Sequence, residues 1–147
     1  MKPLSLSIFL LLLSSPAWAW EPSIAVETLV LEAGGEGYAG MIAVGEVIRN
    51  RTDDVYTHGR YSDRVEQVIR RPWQFSCWNS PLIAKLRLSR VSGETWQKAA
   101  MAWEASRTSN LTNGATHYAN LALCSPKWAR KLEKVGKIGR HTFYREG

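Results

Sequence analysis

The sequence predicts a single α+β domain that is mainly helical and has small β elements. Three observations predict this fold class. The chain has 147 residues, a length typical of one domain. Apolar residues recur at helical spacing in several segments before residue 108. After that point, turn residues and alternating apolar and polar residues indicate loops and short strands.

The first 19 residues are predicted to be a cleaved signal peptide. Lys2 precedes an apolar run, and the sequence AWA at residues 17–19 fits a cleavage site. The run is too short to span a bilayer comfortably, although an uncleaved membrane anchor is the alternative. We therefore expect an exported protein in the periplasm, cell envelope or medium. Its mature domain would be residues 20–147, without stable membrane insertion.

The first predicted helix covers EPSIAVETLVLEA, residues 21–33. It is apolar nearly all round, which is typical of a buried helix. Pro22 suits its first turn. Gly34 and Gly35 are expected to end it.

The second predicted helix covers YAGMIAVGEVIRNR, residues 38–51, and a polar loop is expected at residues 52–60. Met41, Val44 and Ile48 recur at helical spacing. Glycines at positions 40 and 45 would allow close approach to another helix.

Three further helices are predicted over residues 62–72, 80–89 and 93–107. Ser62 and Ser80 are the expected caps of the first two. Trp96 and Trp103 share one face of the last, which makes it amphipathic.

The remaining elements are shorter. Residues 108–120 predict a loop and a short strand, and residues 137–145 predict a final strand. SPKWARKLEKVG, residues 125–136, predicts another helix that packs Trp128 and ends at Gly136.

The charge is positive and uneven. The formal net charge is +6, and loss of Lys2 with a signal peptide lowers it to +5. Residues 127–145 hold seven basic residues and one acid. A basic surface indicates an anionic partner, namely cell-wall polymer, lipid headgroups or nucleic acid, or else a solvated helix face. We expect no nucleic acid because interleaved aromatic and basic residues are absent.

Several kinds of chemistry are disfavoured. A zinc site could combine His117, His141 and a carboxylate, but the spacing does not require one, and the chain lacks HExxH and CxxC motifs. We therefore predict no metal and no other cofactor. Phosphate-binding and GxSxG motifs are absent as well. Cys77 and Cys124 are compatible with either a disulfide or free thiols.

Carboxylic acid chemistry remains, and Glu32 is the candidate catalytic residue. It follows the apolar residues 29–31, and such surroundings raise the pKa of a carboxyl group by desolvation. A protonated glutamate is what general-acid cleavage of a glycosidic bond requires. Gly34 and Gly35 leave room for a sugar ring. Glu36 lies across the turn, where it is expected to hydrogen-bond a loop amide or to orient substrate. The structural alternative is a salt-bridged acid at a helix end.

Aromatic residues favour a carbohydrate ligand. The sequence PWQFSCWNSP contains Trp73, Phe75 and Trp78 among amide and hydroxyl side chains. Flat rings with such neighbours suit sugar faces and hydroxyls, although core packing is the alternative. We therefore expect these three residues to bind substrate. The tryptophans at helical spacing are expected in the core: Trp96, Trp103 and Trp128.

Four sequence blocks resemble those of a known family. LEAGGEGYAGMIAVGEVIRNR resembles the opening block, GEARGE…G…AV…VI.NR, of the cell-wall hydrolase family that includes the spore cortex-lytic enzymes. QFSCW, GATHYAN and SPKWARKLEKVGKIGRHTFYR resemble its later blocks in the same order. The resemblance runs from about Val26 to Arg145. It implies a lysozyme-like α+β domain that acts on peptidoglycan glycan strands as a lytic transglycosylase or related glycosidase.

The resemblance also suggests roles for residues. The family's catalytic glutamate is the first acid of a Glu-x-x-x-Glu block, which maps onto Glu32, with Glu36 as the second acid. His117 and Tyr118 are expected to line the cleft, and His141 to be structural. Other matches to shared blocks are Asn50, Arg51, Phe75 and Phe143.

Two departures from the family pattern carry expectations. Gly34-Gly35 replaces a spacer of the Ala-Arg type, which implies that a basic contact beside the acid is missing. No wall-binding domain is recognised in the sequence. We therefore expect a general wall-remodelling enzyme or a phage-type lysin.

The lack of a convincing second carboxylate favours a lytic transglycosylase. A two-carboxylate glycosidase needs a nucleophile or base opposite the acid. A lytic transglycosylase uses the substrate's own C6 hydroxyl instead. We expect a monomer that cuts between N-acetylmuramic acid and N-acetylglucosamine. The alternatives are a zinc-dependent peptidoglycan amidase or peptidase, a non-catalytic glycan-binding module and an extracellular nucleic-acid binder.

Overall fold

Five α-helices precede a small antiparallel sheet in the computed structural model, which describes residues 22–55 and 58–147. The helices are α1 (Ile24–Ala33), α2 (Gly37–Val55), α3 (Tyr61–Arg70), α4 (Pro81–Leu88) and α5 (Gly93–Ala105). The strands are β1 (His117–Ala119), β2 (Glu133–Ile138) and β3 (His141–Arg145), in the spatial order β1-β3-β2. The predicted α+β, mainly helical fold class is confirmed. The predicted signal peptide lies outside the described residues.

Helix α1 is short and almost entirely buried. Ser23 is its N-cap, and the Ser23 hydroxyl accepts a hydrogen bond from the Val26 amide at 3.4 Å. Pro22 therefore precedes the cap and does not lie in the first turn, as the sequence suggested. The helix ends at Ala33, where the Gly34 amide still donates to the Val30 carbonyl. Glu32 consequently lies at the carboxyl end of a buried helix.

Helix α2 is the centre of the core. One of its faces buries Met41, Val44 and Ile48 in a cluster shared with α1, α3 and α5. Another face buries Val47 against Phe143 of β3. Gly45 approaches the end of α5 so closely that an added Cβ would lie 2.9 Å from the Ser106 side chain. The helices and the sheet are therefore held on two sides of one central helix.

The predicted polar loop at residues 52–60 is partly wrong, because α2 continues to Val55. Thr52 is fully buried, and its hydroxyl donates to the Ile48 carbonyl at 2.7 Å. Asp53 and Asp54 face outwards. The helix therefore continues through a stretch whose composition resembles a loop, with Thr52 on its buried face and the two aspartates on its exposed face.

The predicted helices over residues 62–72, 80–89 and 93–107 correspond to α3, α4 and α5. Ser62 is not a cap, because α3 begins at Tyr61 with Arg60 in the cap position. Ser80 does occupy the cap position of α4, followed by Pro81, but its side chain makes no cap hydrogen bond.

The predicted helix over residues 125–136 is wrong. A short 3₁₀ turn covers Lys127–Arg130, and β2 begins at Glu133. In the sheet, Glu133 is paired with Arg145, and their side chains form an ion pair at 2.8 Å. The single strand predicted over residues 137–145 is in fact divided by a hairpin turn at Gly139, where φ is 58°. Residues before the turn belong to β2, and residues after it form β3. Pairing with β3 thus outweighs the helical spacing of Trp128, Leu132 and Val135.

A buried carboxylate fixes the segment between α5 and β1. Glu46 on α2 is almost completely buried and accepts four hydrogen bonds. The donors are the Ser109 hydroxyl (2.5 Å), the Leu111 amide (2.8 Å), and the amide and hydroxyl of Thr112 (2.8 and 2.6 Å). A buried charge is tolerated when it is hydrogen-bonded in this way. The loop that leads to β1 is thereby tied to the central helix.

The described residues contain neither a membrane-spanning helix nor a disulfide. Within residues 22–55 and 58–147, no helix has both the length and the apolar character needed to cross a membrane. Cys77 and Cys124 are free thiols, the first half-buried and the second exposed.

Candidate active site

The Glu32 carboxylate is held by two hydrogen bonds from distant parts of the chain. Oε2 accepts one from the Tyr118 hydroxyl at 2.8 Å, and Oε1 accepts one from the Cys77 amide at 3.3 Å. Tyr118 lies on β1, and Cys77 lies in the 3₁₀ turn between α3 and α4. The side chain of Glu32 is therefore fixed where α1, the sheet and this turn meet.

Asn50 and Arg51 on α2 position β1 beside Glu32. The Asn50 side-chain amide donates to the Ala115 carbonyl at 2.8 Å, and Arg51 Nε donates to the Thr116 carbonyl at 2.5 Å. These two carbonyls lie just before His117, where β1 begins. The adjacent Asn-Arg pair thus anchors the strand that carries Tyr118.

The groups that contact Glu32 stay protonated. Burial raises the pKa of Tyr118 well above its ordinary value, and the negative charge of Glu32 raises it further. Burial followed by the same charge also raises the pKa of the Cys77 thiol. A thiol of this kind is not a nucleophile near neutral pH, because the reactive form is the thiolate.

Glu32 lies where two cavities meet. The cavity on the β1 side is about 540 Å³, and the cavity on the α4 side is about 550 Å³. Both volumes are in the range of ligand-binding sites. The residues lining both cavities are Glu32, Asn120, Leu123 and His141. Together the cavities form a cleft that extends to either side of the Glu32 carboxylate.

Aromatic rings line the β1 side of the cleft. They include the expected Trp73, His117 and Tyr118, together with Trp128. Trp128 was expected in the core, and this expectation is corrected: its ring is half-exposed, with its centroid 5.1 Å from that of His117. Burial and the nearby positive charge of Arg51 lower the pKa of His117, so that its ring is neutral at neutral pH.

Trp73 combines exposure with an unusual backbone conformation. It is 85% exposed and has φ of 66°. It is the third residue of a four-residue turn, in which Pro72 is the second. The turn is closed by a hydrogen bond from the Gln74 amide to the Arg71 carbonyl, at 3.2 Å. This pattern is that of a type II turn, where glycine is usual. A tryptophan is thus held in a strained conformation at the edge of the cleft.

Phe75 and Trp78 do not line the cleft, and the expectation that they contact substrate is corrected in this respect. Phe75 is only 2% exposed and packs in the helical core beneath Arg51, whose guanidinium carbon lies 5.0 Å from the ring centroid. Trp78 packs against the same core, and its indole N–H donates to the Thr28 hydroxyl at 2.9 Å. Both rings therefore support the turn that presents the Cys77 amide.

Glu36 lines the α4 side of the cleft, where it is committed to Arg140. Its carboxylate accepts hydrogen bonds from the Arg140 amide and from Arg140 Nε, both at 2.7 Å. Burial favours the protonated form of Glu36, but these bonds and the charges of His141 and Arg140 outweigh it, and the pKa of Glu36 is lowered. Glu36 therefore anchors the β2–β3 turn.

Arginine side chains from other elements line the α4 side of the cleft near the Gly34-Gly35 spacer. A Cβ added to Gly35 would lie 3.1 Å from an Arg140 guanidinium nitrogen. Arg87 and Arg90, from the end of α4 and just beyond it, line the same cavity. No hydrogen bond or ion pair joins these three arginines to Glu32 among the residues that the structure describes, so the absence of a basic contact to the acid itself stays a prediction. No local pattern marked these arginines, because tertiary packing brings them to the cleft.

His141 is 8% exposed and packs on Tyr118, with 4.9 Å between the ring centroids. Burial lowers the pKa of its imidazole although Glu36 and Glu32 oppose this. Among the residues that the structure describes, no group of three or more histidines, cysteines and acids is arranged to hold a metal ion.

Comparison with known proteins gives consistent results. The family model described as Cell Wall Hydrolase matches residues 35–144, a range that begins just after Glu32. Spore cortex-lytic enzymes of Halalkalibacterium halodurans and Bacillus cereus are each 30% identical over 112 residues, 76% of this chain. That alignment covers 31% and 39% of those proteins, so the chain spans about a third of the length of the curated relatives it matches.

Two solved structures have a similar fold. One is the catalytic domain of the Bacillus cereus SleB protein, with a TM-score of 0.63 and 27% identity over 84% of this chain and 88% of that one. The other is the catalytic domain of the germination-specific lytic transglycosylase SleB from Bacillus anthracis, with a TM-score of 0.62 and 27% identity over 82% and 90%. Given the family match across most of its length, the chain belongs to the cell wall hydrolase family.

Proposed function

We propose that this chain is a peptidoglycan-degrading enzyme in which Glu32 acts as the single acid and base of a lytic transglycosylase. The bond it cuts joins N-acetylmuramic acid to N-acetylglucosamine. Family membership supports action on the cell wall, and one similar structure is named as a lytic transglycosylase. The cleft on both sides of Glu32 gives room for sugar units on either side of the bond.

The ion pair between Glu36 and Arg140 is the observation that supports a mechanism with a single acid. Glu36 matters because of its place in the cleft. It is the one other carboxylate among the described residues lining the two cavities that meet at Glu32. Its side chain is 5% exposed and paired with Arg140. A glycosidase with two carboxylates needs the second one free to attack the sugar or to activate water. Glu36 is held in a different role, which favours a reaction in which the substrate supplies the nucleophile.

In this reaction Glu32 transfers its proton to the bridging oxygen as the bond between that oxygen and the muramic C1 breaks. N-acetylglucosamine leaves with a free 4-hydroxyl. The muramic C6 hydroxyl then attacks C1, and the Glu32 carboxylate accepts its proton. The product is a 1,6-anhydro ring, and Glu32 returns to its starting state. Acid–base assistance of this kind contributes roughly 10²–10⁴-fold to the rate.

Tyr118 and Cys77 suit both protonation states of Glu32. When Glu32 is a carboxylate, it accepts hydrogen bonds from the Tyr118 hydroxyl and the Cys77 amide. When Glu32 is protonated, its O–H can donate to the phenol oxygen, because a tyrosine hydroxyl both donates and accepts. The carboxyl group thus keeps its position through the cycle, as acid–base catalysis requires.

We further propose that the protein is exported and that residues 1–19 are removed. Peptidoglycan lies outside the cytoplasmic membrane, so its enzymes must cross that membrane. Sequencing the amino terminus of protein recovered from the cell envelope tests this, with Trp20 as the expected first residue. An intact Met1 in envelope protein would contradict it.

Analysis of the reaction products tests the proposed chemistry. The protein is incubated with purified peptidoglycan, and the masses of the released fragments are measured by mass spectrometry. We expect muramic ends lighter by one water, as a 1,6-anhydro ring demands. Ends that are all reducing and hydrated would assign hydrolysis instead. Chelator is included in a parallel digest, and loss of cleavage there would favour the zinc-dependent alternative.

A further inference from the structure

The α4 side of the cleft carries more positive than negative groups. Its charged lining residues are Glu32, Glu36, Arg87, Arg90 and Arg140. Arg140 and Glu36 neutralise each other at 2.7 Å. His141 also faces this cavity, and burial lowers its pKa, so it adds no charge at neutral pH. What remains opposite Glu32 is a pair of guanidinium groups from the end of α4 and just beyond it.

Arg87 and Arg90 lack acidic partners. No ion pair joins either of them to an acid among the residues that the structure describes. Arg87 Nη2 donates to the Leu31 carbonyl at 2.9 Å, which holds it beside Glu32. The side chain of Arg90 makes no hydrogen bond within the described chain, while its backbone amide donates to the Arg87 carbonyl at 3.2 Å. Both groups are available to a ligand in the cavity.

The opposite end of the cleft differs in charge. A third cavity, of about 630 Å³, adjoins the β1 side through the shared Arg51, Gln74 and His117. Its charged lining residues are Arg51, Asp54, Arg71, Arg145 and Glu146. Arg145 is further paired with Glu133 at 2.8 Å. Positive and negative groups are therefore balanced there, and the surplus of guanidinium groups is specific to the α4 side.

We infer that Arg87 and Arg90 form a carboxylate-binding subsite, which takes an acidic substituent of the glycan next to the bond being cut. Guanidinium groups pair with carboxylates through two parallel hydrogen bonds, which makes arginine the preferred residue for this task. This inference rests on the proposed function, because it assumes a peptidoglycan strand in the cleft. In peptidoglycan the carboxylate can come from the stem peptide or from the lactyl group of peptide-free muramic acid.

The subsite gives the cleft a direction. A strand whose acidic substituent lies on the α4 side gains this contact, whereas a strand bound in the reverse direction presents the substituent to the balanced end. The subsite is thus a specificity determinant that acts through binding and leaves the proton transfer at Glu32 unchanged.

Binding measurements test the inference without relying on cleavage. Fragments are titrated calorimetrically against protein in the Glu32→Gln background, so that none is consumed. Four soluble fragments are compared: peptide-bearing strands, the same strands with amidated carboxylates, peptide-free strands, and peptide-free strands with esterified lactyl groups. The variants are Arg90→Gln, Arg90→Lys and Lys85→Gln. Lys85 is the matched control, because it is an exposed base on α4 that does not line the cavity.

We expect Arg90→Gln to weaken binding of a carboxylate-bearing strand by about three- to tenfold, a size typical of a partly exposed charge pair. Arg90→Lys should recover part of the loss, and Lys85→Gln should change nothing. The neutralised strands should bind equally to all variants. If Arg90→Gln weakens the binding of peptide-bearing strands, the carboxylate belongs to the stem peptide. If it weakens only the binding of peptide-free strands, the carboxylate belongs to the lactyl group.

Equal effects of Arg90→Gln on charged and neutralised strands would overturn the subsite. So would an absence of any effect, or no detectable binding of carboxylate-bearing strands. Failure of the proposed function gives a different result, namely binding that depends on Arg90 but no release of fragments by the wild-type protein.

Discussion

The hydroxyl of Tyr118 lies 2.8 Å from Oε2 of Glu32 and joins the sheet to the end of α1. Tyr118→Phe removes this bond while keeping the ring that packs on His141 and Phe143. We expect kcat to fall about 10- to 100-fold, because a small misplacement of the acid is costly. The melting temperature should change by only a few degrees. Rates on purified peptidoglycan and a thermal melt are the measurements.

An unchanged kcat in Tyr118→Phe would show that the hydroxyl does not position the acid. Tyr144→Phe is a control on β3, since Tyr144 is buried and lies outside the cavities that meet at Glu32. It should leave kcat close to that of the wild type.

Replacing Trp73 should weaken substrate binding without lowering the stability of the fold. Trp73→Gly relieves the backbone strain at φ of 66° and removes an exposed ring. Strain at such a position costs of order 1–3 kcal/mol. We therefore expect the free energy of unfolding to stay the same or to rise, while KM for peptidoglycan rises. Chemical denaturation and steady-state kinetics measure the two quantities.

Trp73→Ala is the matched variant for that experiment. It removes the same ring but keeps the strain, so KM should rise equally without a gain in stability. A fall in KM for both variants would mean that the ring obstructs the cleft.

The pair formed by Glu36 and Arg140 predicts a pH dependence of stability. The pKa of Glu36 is lowered in the folded protein, so folding favours the ionised form. Its contribution is complete above the ordinary pKa of 4.5 and is lost as the pH falls through the lower folded value. Glu36→Gln should therefore destabilise the protein more at pH 7 than at pH 3, where part of the contribution is already lost. Melting curves of both proteins across this range measure the difference.

A matched control for Glu36 is Glu66→Gln. Glu66 forms an exposed ion pair with Arg70 on α3, at 2.6 Å, and such pairs contribute little. Its effect should be small at both pH values. A Glu36→Gln effect of the same size at pH 7 and pH 3 would contradict the assigned role of the ion pair.

Glu46→Gln should destabilise the protein more than any surface substitution. One of the two oxygens that accept four hydrogen bonds is replaced by an amide donor, and the site is buried. We expect the free energy of unfolding to fall by about 2–4 kcal/mol. Urea denaturation measures it, with the exposed Glu104→Gln as control. Equal stabilities of the two variants would rule out the anchoring role of Glu46.

The sequence predicted most of what is local. The apolar run of α1 and the two glycines after it placed Glu32 at the end of a buried helix, because both signals are encoded in neighbouring residues. The segment SPKWARKLEKVG misled the prediction because its apolar residues Trp128, Leu132 and Val135 recur at helical spacing. Its strand forms only through pairing with β3, which is distant from the local pattern. Trp128 was accordingly assigned to the core when it lines the cleft.

The hydrogen bonds that position the polar groups of the site join residues that are distant in sequence. Arg87 reaches the Leu31 carbonyl from another helix, and Tyr118 reaches Glu32 from the sheet. Neither arrangement leaves a periodic pattern, because each depends on how whole elements pack. The motif resemblance placed Tyr118 at the cleft, but its hydrogen bond to the acid came from the structure.

The rate of cleavage of purified peptidoglycan by Glu32→Gln tests the central claim most directly. The substitution keeps the size of the side chain and removes the proton that the mechanism transfers. We predict a folded protein, with circular dichroism like that of the wild type, whose rate of fragment release falls by about 10²–10⁴-fold. A folded Glu32→Gln protein that releases fragments within tenfold of the wild-type rate would contradict the assignment of Glu32 as the catalytic acid.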